Sequence, residues 1–123
     1  MATGFLGLFG GDPASMKLKP GQVLFSKGDA AKHLYVVQSG QLQIMEGERV
    51  LETLGVDEII GEMALIDGGT RSATARALTQ SVVIPIDEKR FLRMVRDTPF
   101  FALRVMRVLT SRLRAMNKGA SGA

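Results

Sequence analysis

Apolar and polar positions follow two rhythms along this chain, and the change comes near Ile86. From Met16 to Ile86, glycines at 21, 28, 40, 47, 55 and 61 punctuate short apolar or alternating runs. The runs are Val23-Leu24-Phe25, Leu34-Tyr35-Val36-Val37, Leu42-Gln43-Ile44-Met45 and Val50-Leu51-Glu52-Thr53-Leu54. Short strands parted by turn signals at such intervals predict an all-β sandwich or barrel. Pro20-Gly21 marks a tight turn, and Gly47, between two glutamates, closes a hairpin. A strand end at Glu58-Ile59-Ile60 then meets Gly61, a helix-forming run covers Glu62 to Ile66, and Gly68-Gly69 turns the chain back. Two last strands, 73–78 and 81–86, are joined through Thr79-Gln80.

After Ile86 the period becomes helical. Asp87 is a good N-cap, and Phe91, Leu92, Met94 and Val95 describe a helix ending near Asp97-Thr98-Pro99. A second helix is expected from Pro99 to about Asn117, stopping near Gly119, about 27 Å long at 1.5 Å per residue. Within it Ala102, Met106, Leu109, Leu113 and Met116 step by four and three alternately, the spacing of a coiled-coil seam. Val105 and Val108 widen the stripe, and Arg104, Arg107 and Arg114 keep the other side soluble. The stripe either pairs with a second copy, making a homodimer through the C-terminal helix, or packs only on the β region. At the other end, Phe5, Leu6, Leu8 and Phe9 form an apolar patch before the breaker Gly10-Gly11-Asp12-Pro13. Its glycines make an autonomous helix poor, and docking on the fold is its expected fate. The expected organisation is a short apolar segment at 1–15, a β region at 16–86, helices at 87–117 and a flexible tail at 118–123.

Composition narrows the chemistry. A chain of 123 residues makes one domain with a single core. The absence of cysteine excludes disulfides, thiolate nucleophiles and cysteine-ligated zinc. One histidine, His33, cannot supply a histidine-rich metal site, and at the start of an apolar strand it reads as structural. No metal and no catalytic set is expected, because a convincing nucleophile–base pair is lacking. No apolar run approaches the roughly 20 residues of a membrane span, and Met1–Gly10 lacks a basic n-region, so a cytoplasmic location is expected. The formal charge of +4 hides a division, −4 over residues 1–69 and +8 over 70–123. A basic helix of this kind is more often a solvated face than a nucleic-acid or membrane contact.

The candidate site is the stretch Ile60-Gly61-Glu62-Met63-Ala64-Leu65-Ile66-Asp67-Gly68-Gly69-Thr70-Arg71-Ser72-Ala73-Thr74. A helix start leaves backbone N–H groups unpartnered and favours negative charge. An arginine and a hydroxyl arriving from the far side of the loop, Arg71 and Ser72, complete an anion cradle. Glu62 is the oddity: a carboxylate beside a phosphate repels it unless it accepts from hydroxyls on the same ligand. Phosphate and sugar hydroxyl together point to a nucleotide. Two plainer readings stand beside this one: Glu62 as a first-turn acid only, and Arg71 paired with Asp67 on the surface.

In order and spacing, Gly61-Glu62-Met63-Ala64-Leu65-Ile66 and Arg71-Ser72-Ala73-Thr74 resemble the phosphate-binding cassette of cyclic-nucleotide-binding domains. Lys19-Pro20-Gly21-Gln22-Val23-Leu24-Phe25, Gly28-Asp29 and Leu34–Val37 resemble the opening of that family's β-roll, and the likeness extends from Met16 to Asn117. Ile60, Thr70 and Ala75 depart from the family's Phe, Pro and Val. The resemblance implies a mainly β fold with flanking helices (α+β), a jelly-roll-like β-roll followed by two C-terminal helices; a cupin would need several metal-binding histidines. It implies that Glu62 accepts the ribose 2′-hydroxyl and Arg71 pairs with the cyclic phosphate. Ser72 and the amides of Met63, Ala64 and Ala73 add donors, with Gly61 and Thr74 completing the cassette. In the family the last helix is the ligand's lid and the dimer contact. Its base-contacting positions fall on Met116 and Asn117, which do not match the activators' Thr-Ser pair. The transcription activators of the family continue into a helix-turn-helix, and no such DNA-binding domain is expected here. The implied function is a stand-alone regulatory module that binds cyclic AMP or cyclic GMP and signals to an unknown protein partner through its C-terminal helix. In the family's kinase branch, Thr after the arginine accompanies guanine and Ala adenine; Ser72 lies between, and the reading leans to cyclic AMP. The alternative is a degenerate roll that has lost its ligand and serves as an oligomerisation or scaffold unit.

Overall fold

The computed structural model describes residues 14–121, with side chains to residue 115; the apolar patch at Phe5–Phe9 therefore lies outside the described residues. Among the described residues, eight strands and three helices follow one another as β1 (Met16–Leu18), β2 (Val23–Phe25), β3 (His33–Ser39), β4 (Leu42–Glu46), β5 (Arg49–Leu54), β6 (Ile59–Ile60), α1 (Glu62–Asp67), β7 (Thr74–Ala77), β8 (Ser81–Asp87), α2 (Glu88–Asp97) and α3 (Pro99–Ser121). The strands form two four-stranded sheets, ordered β1-β8-β3-β6 and β2-β7-β4-β5, and every pairing is antiparallel. This is a mainly β roll with C-terminal helices, as the runs and the resemblance imply.

The two sheets share one core. Leu18, Tyr35, Val37, Ile60 and Val83 from the first sheet cluster with Leu42, Leu54, Ala75 and Ala77 from the second. Strand β3 shows why its sequence carries no alternation: Leu34, Tyr35, Val36 and Val37 are all buried, so both of its faces are covered. α1 packs against β3, which sets the cassette directly on this doubly buried strand. Gly47 and Glu48 link β4 to β5 in a two-residue hairpin, with Glu46 opposite Arg49 and Gly47 at φ +61°. Pro85 sits in β8 beyond residues 81–83, which pair with β1.

The chain divides into two compact units at Glu88/Lys89, the first holding both sheets and α1, the second α2 and α3. In the second unit α3 runs on to Ser121, through the stop expected near Gly119 and into the span expected to be a flexible tail. Among its described side chains the buried ones are Phe101 and Val105, and the Phe91 ring meets Phe101 edge-on at 5.5 Å. The expected seam is offset from that buried line. Ala102 and Leu109 are half-buried, whereas Met106 and Leu113 are 58% and 56% exposed. Period alone predicts a stripe; packing covers only one edge of it.

Neighbouring phenylalanines give the placement a direct check. Phe101→Ala empties a fully buried site and should cost about 3–5 kcal/mol in urea unfolding. Phe100→Ala, at a residue 48% exposed, should cost under about 1 kcal/mol. Equal losses would mean that the buried face of α3 is wrongly identified.

Candidate functional site

The cassette begins where β6 runs into Gly61, whose φ of +80° and ψ of 13° turn the chain into α1. A left-handed residue is needed there to break the strand, and glycine adopts it without strain. Gly68, at φ +72°, ends the helix and lets the chain return. Within α1, Glu62 and Leu65 are buried, Ala64 is half-buried and Met63 is exposed. No side chain from the N-cap position closes the first turn. Glu62 is wholly buried, which a surface first-turn acid would not be.

The returning limb is stitched to the loop between β2 and β3. Ala30 and Thr70 form an antiparallel bridge; Gly28 N–H donates to the Arg71 carbonyl and Arg71 N–H to the Asp29 carbonyl, both at 2.8 Å. Asp29 holds the loop's own bend, accepting from the Ser26 amide at 2.9 Å. The Lys27 amide donates to Thr74 Oγ1 at 3.1 Å. The position the family fills with proline is thus held in place by main-chain pairing. Asp67 accepts from the Gly69 amide at 2.8 Å, and its partner is not Arg71, so the surface ion-pair reading fails.

The Arg71 side chain turns inward and is only 4% exposed. Its Nη1 donates to the Gly61 carbonyl at 2.7 Å and its Nη2 to the His33 carbonyl, so one guanidinium joins the cassette to the start of β3. Its Nε is buried and has no hydrogen-bond partner among the described residues. Phe25 lies beneath the guanidinium at 4.1 Å, and Tyr35 stands 6.0 Å away. Burial pulls the Arg71 pKa down, opposed by the nearby Tyr35 and Asp29, while burial pushes the Tyr35 hydroxyl up. An arginine stays charged through such a shift, so the site keeps a fixed cation.

The cassette positions from Gly61 to Ala64 and from Arg71 to Thr74 therefore share one corner of the roll, with Ser72 exposed, Ala73 buried and Thr74 half-buried. Met116 and Asn117 fall in α3, but their side chains lie outside the described residues. Phe25, Tyr35 and the His33 carbonyl, which contact or face Arg71, were not legible in the sequence as its neighbours. His33 acts through its main chain, which no residue type announces, and its ring meets Tyr35 at 5.9 Å. Among the described residues no cluster could hold a metal ion, and no helix is long and apolar enough to cross a membrane.

Two glycines of the cassette separate strain from collision. A Cβ on Gly61 would stand 2.4 Å from Arg71 Nη1, whereas a Cβ on Gly68 would meet nothing within 4 Å. Both substitutions incur left-handed strain of about 1–2 kcal/mol. Gly61→Ala should lower the thermal unfolding midpoint clearly more than Gly68→Ala; equal shifts would remove Arg71 from beneath Gly61.

Comparison with known proteins identifies relatives of this chain and fold. The Cyclic nucleotide-binding domain family matches residues 15–98, more than half of the chain. The Cyclic AMP receptor protein of Thermus thermophilus is 34% identical over 99 residues, 76% of this chain and 46% of its own length. The crystal structure of the Thermus thermophilus Catabolite Activator Protein superimposes with a TM-score of 0.80 at 29% identity, covering 87% of this chain and 53% of that one. The EAL enzyme Bd1971 in its cAMP-bound form gives a TM-score of 0.63 at 35% identity, covering 87% of this chain and 30% of that one. Its cGMP-bound form gives 0.64 at 34%, covering 89% and 30%. The chain thus spans about half the length, or less, of these relatives. With the family matched across the roll and the cassette folded around a buried arginine, the chain belongs to the cyclic nucleotide-binding domain family.

Proposed function

We propose that this domain is a regulatory module, not an enzyme, that binds a cyclic nucleotide at the 61–74 cassette, cyclic AMP in preference to cyclic GMP. One observation carries the reading: the buried cation of Arg71 bonds the carbonyl of Gly61, the residue directly before the buried carboxylate of Glu62. A fixed cation suits a cyclic phosphate, and a carboxylate at a short helix start suits a ribose hydroxyl. Ser72, exposed beside Arg71, is free to add a donor. The preference for adenine rests on Ser72 alone, because relatives with bound cAMP and with bound cGMP are both similar to this chain.

The signal is read out through the C-terminal helices. α2 begins at Glu88, immediately after β8 ends at Asp87. Ligand would favour one of two helix states, a population shift that a protein partner senses. The exposed apolar edge of α3, Met106 and Leu113, supports pairing with a second copy.

Arg71→Gln should weaken cyclic AMP binding by on the order of 2–4 kcal/mol in calorimetric titration. It should also lower the unfolding midpoint without ligand, since two carbonyls lose their donor. An unchanged dissociation constant would refute the site. Wild type should bind 2′-deoxy cyclic AMP more weakly than cyclic AMP, and Glu62→Gln should erase much of that difference; parity in the wild type would give Glu62 another role.

The helix claim has its own check. Leu113 is exposed in the single chain, so Leu113→Glu leaves the fold intact. In a paired seam the same charge is buried without a partner, which is expensive enough to abolish a small interface. Sedimentation should therefore show dimeric wild type and monomeric Leu113→Glu. A wild type that stays monomeric at high concentration would refute self-pairing.

A further inference from the structure

Phe25 is the aromatic residue that the cassette chemistry leaves without a role. Its ring centroid lies 4.1 Å from the central carbon of the Arg71 guanidinium, and it stacks on Tyr35 at 6.3 Å with the planes 24° apart. A cation over an aromatic face is attracted by the ring's quadrupole, more strongly when both are away from water.

The backbone explains how the ring gets there. β2 pairs with β7 through Val23 opposite Arg76 and Phe25 opposite Ala75, so two steps on β2 answer one on β7. Leu24 is the extra residue of a β-bulge, a device that re-aims the side chain that follows. The consequence is visible in the packing. Consecutive Leu24 and Phe25 both lie against the core cluster, which strict strand alternation forbids.

The guanidinium gains a further support from that ring. Its two bonds, to the carbonyls of Gly61 and His33, use Nη1 and Nη2. Nε has no hydrogen-bond partner among the described residues, and Tyr35 also interacts with the group. Contact with the Phe25 ring adds a support beneath the flat face of the guanidinium. The ring is also close to the turn itself, since a Cβ on Gly61 would come within 3.3 Å of Phe25 Cε2.

We infer that Phe25 is a positioning residue for nucleotide binding: its ring holds the Arg71 guanidinium in the orientation that meets the ligand's phosphate. The inference rests on the reading of Arg71 as the phosphate-binding residue. Phe25 touches the arginine and acts through it. Ligand loss on its removal should therefore fall on the phosphate contact and spare the sugar contact at Glu62.

The test is calorimetric titration of cyclic AMP and 2′-deoxy cyclic AMP into wild type, Phe25→Leu, Phe25→Tyr and Arg71→Gln, with an unfolding midpoint for each. Phe25→Leu keeps apolar bulk without the ring and should weaken both ligands about fivefold to thirtyfold. The ratio between the two ligands should stay at its wild-type value. Phe25→Tyr restores a ring face and should bring affinity back to within about twofold. A loss with a collapsed ratio would mean that the whole cassette has loosened, and the inference fails. It fails too if Phe25→Leu binds like wild type, or if tyrosine does not rescue. Should Phe25→Leu not fold, Phe25→Met is read by the same criteria. Arg71→Gln separates the two levels. If it binds like wild type, the phosphate assignment itself falls; if it loses binding while Phe25→Leu does not, only the role of Phe25 is lost.

Discussion

A guanidinium that is almost completely buried has to be satisfied from within the protein, and in this domain that requirement organises the cassette. Leaving such a charge without partners costs several kcal/mol. Arg71 meets the demand with carbonyls from two elements that are distant in sequence, Gly61 at the cassette's entry and His33 at the start of β3. Each carbonyl is placed by its own backbone: Gly61 by a left-handed turn, His33 by pairing with Asp87 of β8. The arginine therefore acts as a clasp whose two ends are set by the sheet. It also explains the glycine twice, once through its φ and once because a side chain there would occupy the guanidinium's place.

The clasp needs a stiff base, and the roll provides one. β3 is buried on both faces and pairs on either side, with β8 and with β6. Tyr35 projects from its middle into the core shared by the sheets and also faces the arginine. Phe25 reaches the same point from the other sheet by way of the bulge in β2. The polar site and the apolar core are thus continuous through two aromatic rings. A change in core packing beneath those rings would be felt at the cassette, because close-packed interiors transmit strain.

How much of this was legible in the sequence follows from what each feature depends on. The main strands and the cassette were readable because glycine punctuation and apolar runs are local signals. β1 was not singled out, since Met16-Lys17-Leu18 is short, with one buried residue, and is defined by its pairing to β8. In α3 the stripe was readable and its buried edge was not: a 4-3 spacing holds Met106 and Leu113, while tertiary contact selects Phe101 and Val105. The identities of Glu62 and Arg71 were readable from the motif. The partners of Arg71 were not, because a main-chain carbonyl is present at every residue and only the fold decides which two converge. A bulge likewise leaves no mark in Val23-Leu24-Phe25, so the ring beneath the arginine came from pairing register alone.

Register also accounts for Thr70 at the position before the arginine. A proline there would restrict φ chiefly by narrowing the unfolded chain, an effect of about 0.4–1 kcal/mol. The native backbone does not depend on that restriction, because the bridge to Ala30 and the bonds through Gly28 and Asp29 hold residues 70 and 71 from the neighbouring loop. Those bonds use the amide and carbonyl of Arg71, so the constraint bears on the residue whose direction matters. The departure from the family's proline therefore changes the entropy of the unfolded chain more than the geometry of the folded site. It also moves responsibility for that geometry onto the loop, where Asp29 accepts from Ser26 to keep the bend that presents its carbonyl to Arg71. The arginine is thus held by its side chain to the sheet and by its main chain to the loop, and both constraints converge on one residue.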